Sequence, residues 1–333
     1  MKKFFLLFFV LILSAVGLRM EAQEGWFVAS QDMDLQQVVR DHRMVLLSPG
    51  IYSVVQPIEV PRNTVVMGAG LGSVLQLVSG ESCLFFAENS GDVLLDNITF
   101  CGGNGVEATP LSKEDARDRV GQGSRCGISV KGDVQDVHIR NCHFKGFDKA
   151  GLSLYRTHNF GRDDKYCRTF KVSDCVFENN YIGVLCDVRS EYHQFSGCSF
   201  SYNTIGTFIE GGNDYFSNCH FNANTVGCVV SGQKAENDSH GTIVGSSFNH
   251  NTGFAIIVTE AHNGFHFVGC QVFDGKGILI ERSKGIFFTG GTVACRIYAE
   301  GEECSARFYG NYFTGTYGSG EVIGAKQCVD IRP

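Results

Sequence analysis

The sequence predicts an all-β solenoid: a single-stranded parallel β-helix with three strands per coil and an N-terminal capping helix. Two observations carry this. An apolar column recurs at Phe144, Phe177, Phe200, Phe221, Phe248 and Val272, with steps of 33, 23, 21, 27 and 24 residues, and such a period with insertions marks units that stack on one another. Each repeat also holds three short runs rich in Val, Ile, Phe and Thr, with alternating apolar residues and Gly, Asn or Ser at the corners. That is the pattern of strands, not of a helix pair. Three strands per coil, each pairing with its equivalent one coil away at about 4.8 Å, close into a parallel β-helix.

Taken from the N-terminus, Lys2 and Lys3 precede an apolar run over residues 4–16, and small and polar residues lead to Ala22. This predicts a secretory signal peptide over residues 1–22, too short for a membrane span, and a secreted or periplasmic bacterial protein. Removing Lys2, Lys3, Arg19 and Glu21 leaves 25 basic against 34 acidic residues, a net charge of −9. That balance argues against nucleic acid and anionic membranes, both of which need a basic face. Residues 23–56 are expected to form a cap. Within it Asp34 is an N-cap, and Leu35, Val38 and Val39 share one face of a helix. Residues 57–320 are expected to be the coils and 321–333 a tail or C-terminal cap. The GAGLGS cluster at 68–73 has no helix after it and reads as a tight turn, not as a dinucleotide loop.

Within the coils, Asn180, Asn203, Asn224 and Asn251 follow the apolar column by three residues. They predict a corner ladder, since Asn tolerates left-handed backbone and stacked amides hydrogen-bond along the axis. Cys142, Cys175, Cys198, Cys219 and Cys270 stand two residues before the column, with Ser246 in the same place once. They are expected to be inward-facing free thiols, because parallel Cβ vectors are poor disulfide geometry. The less regular Cys83, Cys101, Cys126, Cys167, Cys295, Cys304 and Cys328 are the disulfide candidates of an exported chain.

The repeated segments, NCHF at 141–144 and 218–221 and NTIG and NTVG at 203–206 and 224–227, resemble the pectin-lyase-like right-handed parallel β-helix superfamily. The resemblance spans roughly residues 30–320. It implies a right-handed coil, a carbohydrate site in a groove on the loop-flanked sheet and, by likeness to fructotransferases and tailspikes, a homotrimer. It does not select a reaction, because the superfamily holds lyases, hydrolases, epimerases and tailspikes. The NTD segment of polygalacturonases and the DPH segment of mannuronan epimerases are missing here.

One strand column, running through AGLSLY, IGVLCD, IGTFIE, VGCVVS, FAIIV and GILIE, has long turns on both sides. If Val184, Cys186, Thr207, Ile209, Cys228, Val230, Ile278 and Ile280 point inward, then Leu185, Phe208, Val229, Ile256 and Leu279 point outward. The edge column Lys131, Tyr155, Asp187, Glu210, Ser231, Val258 and Glu281 follows them. An apolar floor with a charged edge suits a sugar or a subunit interface. Asp187 and Glu210 fall on successive coils, a spacing of about 5 Å that suits retaining glycosyl transfer by a nucleophile and an acid/base. They are the catalytic candidates. Tyr155 and Phe208 are expected as platforms, Arg156 and Arg189 as orienting cations, and His158, Asp163, Asp164 and Glu260 as further substrate contacts. No CxxC-type metal spacing is present. No metal or cofactor is therefore predicted, with a bound calcium left open. The expected function is a secreted carbohydrate-active enzyme that cleaves or transfers glycosidic bonds of a poly- or oligosaccharide. A polysaccharide lyase and a non-catalytic glycan-binding solenoid are the alternatives.

Overall fold

The computed structural model describes residues 25–332, except 87–88, 104–105, 156–166, 188–189, 233–238, 274 and 316–317. The predicted signal peptide therefore lies outside the described residues. Among the described residues all strand pairings between coils are parallel, and the strands form sheets of 14, 11 and 11. The chain is the expected right-handed parallel β-helix. A representative coil runs Lys171–Ser173 in the first sheet, Val176–Glu178 in the second and Ile182–Cys186 in the third.

The apolar column lies in one register of the second sheet, from Phe100 through Phe144, Phe177, Phe200, Phe221 and Phe248 to Val272, Val293 and Phe313. From Phe100 to Phe248 the rings stack 4.5–5.1 Å apart with planes within 7°. Each such contact adds about 0.5–1.5 kcal/mol to the burial of the rings.

At the next corner the amide of Asn180 donates to the side-chain oxygen of Asn203 (3.1 Å), Asn203 to Asn224 (3.0 Å) and Asn224 to Asn251 (3.2 Å). Each also donates to a Phe carbonyl of the preceding coil, so these buried amides are satisfied. The left-handed residue of this corner is the one before, namely Asn179, Tyr202, Ala223 and His250. The Asn column is kept for its side-chain bonds and not for its backbone.

The Cys column faces inward as expected, each thiol donating to the carbonyl two residues earlier at 3.2–3.6 Å. Ser246 does the same at 3.0 Å. None of the fourteen cysteines forms a disulfide, and all but Cys101 are buried. The seven disulfide candidates are thus corrected: Cys83, Cys167, Cys295, Cys304 and Cys328 pack within the coils, Cys126 packs outward under the segment that crosses the third sheet, and Cys101 is partly exposed.

Helix α1 (Leu35–Asp41) covers the N-terminal end, with the Asp34 side chain accepting from the amide of Gln37 and Leu35, Val38 and Val39 buried. The strands do not begin at residue 57. Met44–Leu47 and Gly50–Val54 already belong to the first and second sheets, and Val329–Arg332 is the last strand of the first. Gly70, at φ 97°, turns the chain within the GAGLGS segment.

The roofed edge of the third sheet

The third sheet brings its inward and outward sets out as the alternation dictates, with one slip. Leu185, Phe208, Val229, Ile257 and Leu279 share the outward register. Ile256 pairs with Cys228 and packs in the interior. That coil carries one more residue between its corner Asn and its strand than the coil before, which moves each later side chain to the other face. For the same reason the edge column continues from Ser231 to Thr259, Glu281 and Glu300, not through Val258.

Asp187 and Glu210 stand on successive coils at equivalent positions, one residue beyond the paired Cys186 and Ile209. The amide of Asp187 donates to Leu154 O and that of Glu210 to Cys186 O, both at 2.8 Å. Both side chains face outward, onto the long segment that precedes the strand Cys126–Lys131.

That segment, residues 106–125, folds back across the outer face as a roof. Its helix α2 (Lys113–Asp118) is capped by Ser112, which accepts from the amide of Asp115, and ends at Arg119 in left-handed backbone. Ala116 is fully buried in one apolar cluster with Leu185, Phe208, Val229, Ile257 and Leu279, and Val106 and Leu111 pack against it. The expected open floor is therefore a second core, with Phe208 at 0% exposure. Neither a sugar nor a second subunit reaches this strip while the roof is in place. With the roof in place Phe208 is closed off from any sugar.

The cations of the roof meet the acids of the edge in order. Lys113 pairs with Glu300, Arg117 with Glu281 at 3.8 Å, and Arg119 with Asp187 at 3.7 Å and Glu210 at 3.6 Å. The Glu210 side chain is 3% exposed, that of Arg119 13% and that of Asp187 15%. Glu281 also accepts from the hydroxyl of Thr259 at 2.8 Å and pairs with Arg282. Arg117 and Lys113 lie four residues apart on one helical face, a spacing visible in SKEDARDRV. Their partners were not legible, because nothing local points to them.

Of the other predicted contacts, Tyr155 ends its strand half-buried, one coil before Asp187. Glu260 stands apart, in left-handed backbone, paired with Arg282 at 2.7 Å. With His262, Glu302 and Glu303 it borders a depression of about 270 Å³. His193 is fully buried in the interior against Phe170. Arg156, His158, Asp163, Asp164 and Arg189 lie outside the described residues. Among the described residues no group of three or more His, Cys, Asp or Glu side chains is placed to hold a metal ion. No helix among them is long and apolar enough to cross a membrane.

Residues 126–293 match the family model of the right-handed β-helix region. No curated protein matches the sequence. Among solved structures, the chain is similar to tailspike protein 2 of Escherichia coli O157:H7 bacteriophage CAB120, at 16% identity and a TM-score of 0.64 over 89% of this chain and 43% of that one. It is similar to an α-1,3-glucanase catalytic unit from Streptomyces thermodiastaticus at 15% identity and a TM-score of 0.60, over 90% of this chain and 64% of that one. A periplasmic alginate epimerase superposes at 15% identity and a TM-score of 0.55, over 92% and 82%. The chain thus spans less than two thirds of the tailspike and the glucanase. At these identities the likeness speaks for the fold.

Proposed function

The chain belongs to the right-handed β-helix family, and from that premise we propose that it is an exported, glycan-active protein that cleaves or transfers glycosidic bonds. One observation carries the reading: Asp187 and Glu210 project from successive coils to the same side, at one edge of the loop-flanked sheet, and reach one guanidinium together. Further support comes from the names of similar structures, a glucanase and an alginate epimerase. In the reaction one carboxylate attacks the anomeric carbon while the other protonates the departing glycosidic oxygen. The second then takes a proton from water or an acceptor hydroxyl as the glycosyl–enzyme bond breaks. Arg119 stands where the sugar has to enter, so turnover requires it to move aside. In this reading Tyr155, one coil earlier and half-buried, lines the entrance.

The test is a panel of purified poly- and oligosaccharides incubated with the protein and read by product mass spectrometry, for wild type, Asp187→Asn and Glu210→Gln. The reading expects one substrate to yield products, and each variant to keep the fold and lose turnover at least a hundredfold. Activity within a few-fold of wild type in both variants removes the assignment. The ion pairs of Arg119 favour a second reading, a glycan-binding solenoid in which the acids anchor the roof. It expects glycan retention with no product from any member of the panel.

A further inference from the structure

The roof over the third sheet is built unlike the coils. Its backbone is tied to them near its ends, where Val106 N donates to Asn179 O (3.1 Å), Tyr181 OH to Val120 O (2.5 Å) and Gly123 N to Asp148 O (2.8 Å). Thr225 also donates its hydroxyl to Thr109 O at 2.8 Å. Among the described residues, no backbone group of α2 bonds to the sheet. The helix is held by Ala116 and by Lys113, Arg117 and Arg119. Glycines stand at both ends of the segment, Gly102 and Gly103 before it and Gly121 and Gly123 after, with Gly103 and Gly121 at φ 99° and 90°. Beneath it lies an apolar strip of large side chains covered by Ala116, Val106 and Leu111 and, over Phe208, by the Arg119 guanidinium.

What the roof covers has a definite charge. Asp187, Glu210, Glu281 and Glu300 line one edge of the strip, and the three cations of the roof face all four. Lifting the roof away without replacement removes three of the cations that face these acids, although Glu281 keeps Arg282, and this loss beside an apolar floor is costly. A neutral sugar chain supplies no counter-charge, and a uronate chain adds repulsion. A linear glycan bearing free amino groups supplies both halves, apolar sugar faces for Phe208, Val229 and Leu279 and ammonium groups for the acid edge.

We infer that residues 106–125 are a displaceable roof over a groove that binds an amino-group-bearing linear glycan, with Lys113, Arg117 and Arg119 holding the places of its ammonium groups. The inference rests on the reading of this sheet as a glycan site and names the class of glycan. It needs binding only, so the two readings fail separately.

Hydrogen exchange read by mass spectrometry on the intact protein tests it, with glucosamine oligosaccharides, their fully N-acetylated counterparts and an oligouronate as probes at fixed ionic strength with a chelator. The free-amine oligomer is expected to speed exchange over residues 106–122 at least tenfold and to slow it over 205–210 and 277–281. The effect should shrink as salt is raised. The other two probes are expected to do neither. An Arg117→Gln/Arg119→Gln variant should show the fast roof without any ligand. Equal responses to the N-acetylated oligomer overturn the inference, as does a roof unmoved by the free-amine oligomer in both wild type and variant. Binding of the free-amine oligomer without product supports it, and removes instead the catalytic role of Asp187 and Glu210.

Discussion

The guanidinium carbon of Arg119 lies 5.0 Å from the centroid of the Phe208 ring, and the same guanidinium reaches the carboxylates that flank that ring, Asp187 and Glu210. A single residue of the roof therefore closes the apolar strip and the acid edge together, through a cation–π contact and two ion pairs. The contact is between chain segments with no local relation to one another, so it depends on the coils beneath it.

Arg119→Ala is the most direct probe of this closure. Ion-pair distances of 3.6 and 3.7 Å are long, and so the loss is expected below the ~3–5 kcal/mol of a fully buried, well-bonded pair, at about 1–3 kcal/mol. That loss should fall on the roof alone, because the coils keep all their ladders. Exchange over residues 106–122 is expected to rise about ten- to a hundredfold, while the thermal midpoint of the coils stays within about 2 °C. A global midpoint that falls with the roof would show that the two unfold as one unit.

The core makes the opposite prediction. Phe200 is fully buried between the rings of Phe177 and Phe221, at 5.1 and 4.9 Å. Phe200→Ala is expected to cost about 3–5 kcal/mol, through lost burial and a cavity that the flanking coils cannot close. Tyr312→Ala, at a site 67% exposed, should stay within about 0.5 kcal/mol. Denaturant titrations of both variants check the contrast.

What was legible in the sequence follows from which residues the coil leaves no choice. The Phe column, the Asn corner and the Cys column must each recur at one place per coil, since an inward position tolerates little change in size and a buried amide needs its neighbour. Their spacing gave the fold and placed Asp187 beside Glu210. Two features escaped. Ile256 went to the wrong face because one inserted residue flips a strand, and alternation alone gives no sign of where the insertion sits. The roof escaped because it belongs to no repeat. Lys113 meets Glu300 from 187 residues away, and no periodicity encodes that pairing. An apolar strip that reads as open groove in sequence is then a covered core in space.

The thiols give a chemical check on the coil interior. Burial pushes the Cys126 and Cys270 thiols up to about 11 and that of Cys228 up to about 12, so at neutral pH they are protonated and poorly nucleophilic. Of the fourteen cysteines, all but Cys101 are buried. A water-soluble thiol reagent at pH 7.5 is expected to modify Cys101 first and Cys126, which lies under the roof, as the roof opens, with the remaining twelve reacting on the timescale of unfolding. Intact-mass spectrometry with and without denaturant counts them. Cys198→Ser should be tolerated to within about 1 kcal/mol, since Ser246 already fills the equivalent place in its own coil and bonds Val244 O.

His193 makes the interior sensitive to acid. Its ring is fully buried, its Nδ1 accepts from the amide of Phe170 at 3.3 Å, and the carboxylate of Asp214 one coil on takes the backbone amide of His193 at 3.1 Å. Burial holds the imidazole down at about 3, from an ordinary 6.5. Above pH 6.5 both folded and unfolded chains carry it neutral, and it contributes no pH dependence. Below that the unfolded chain takes up a proton that the folded chain refuses, so stability falls as pH drops from about 6.5 toward 3, by about 1.4 kcal/mol per pH unit at most. Between pH 7 and 5 the loss from this one group is about 2 kcal/mol. His193→Gln should lower stability at pH 7 yet flatten the decline between pH 7 and 5 by that amount in urea titrations. A variant whose decline parallels wild type would move the acid sensitivity to other groups.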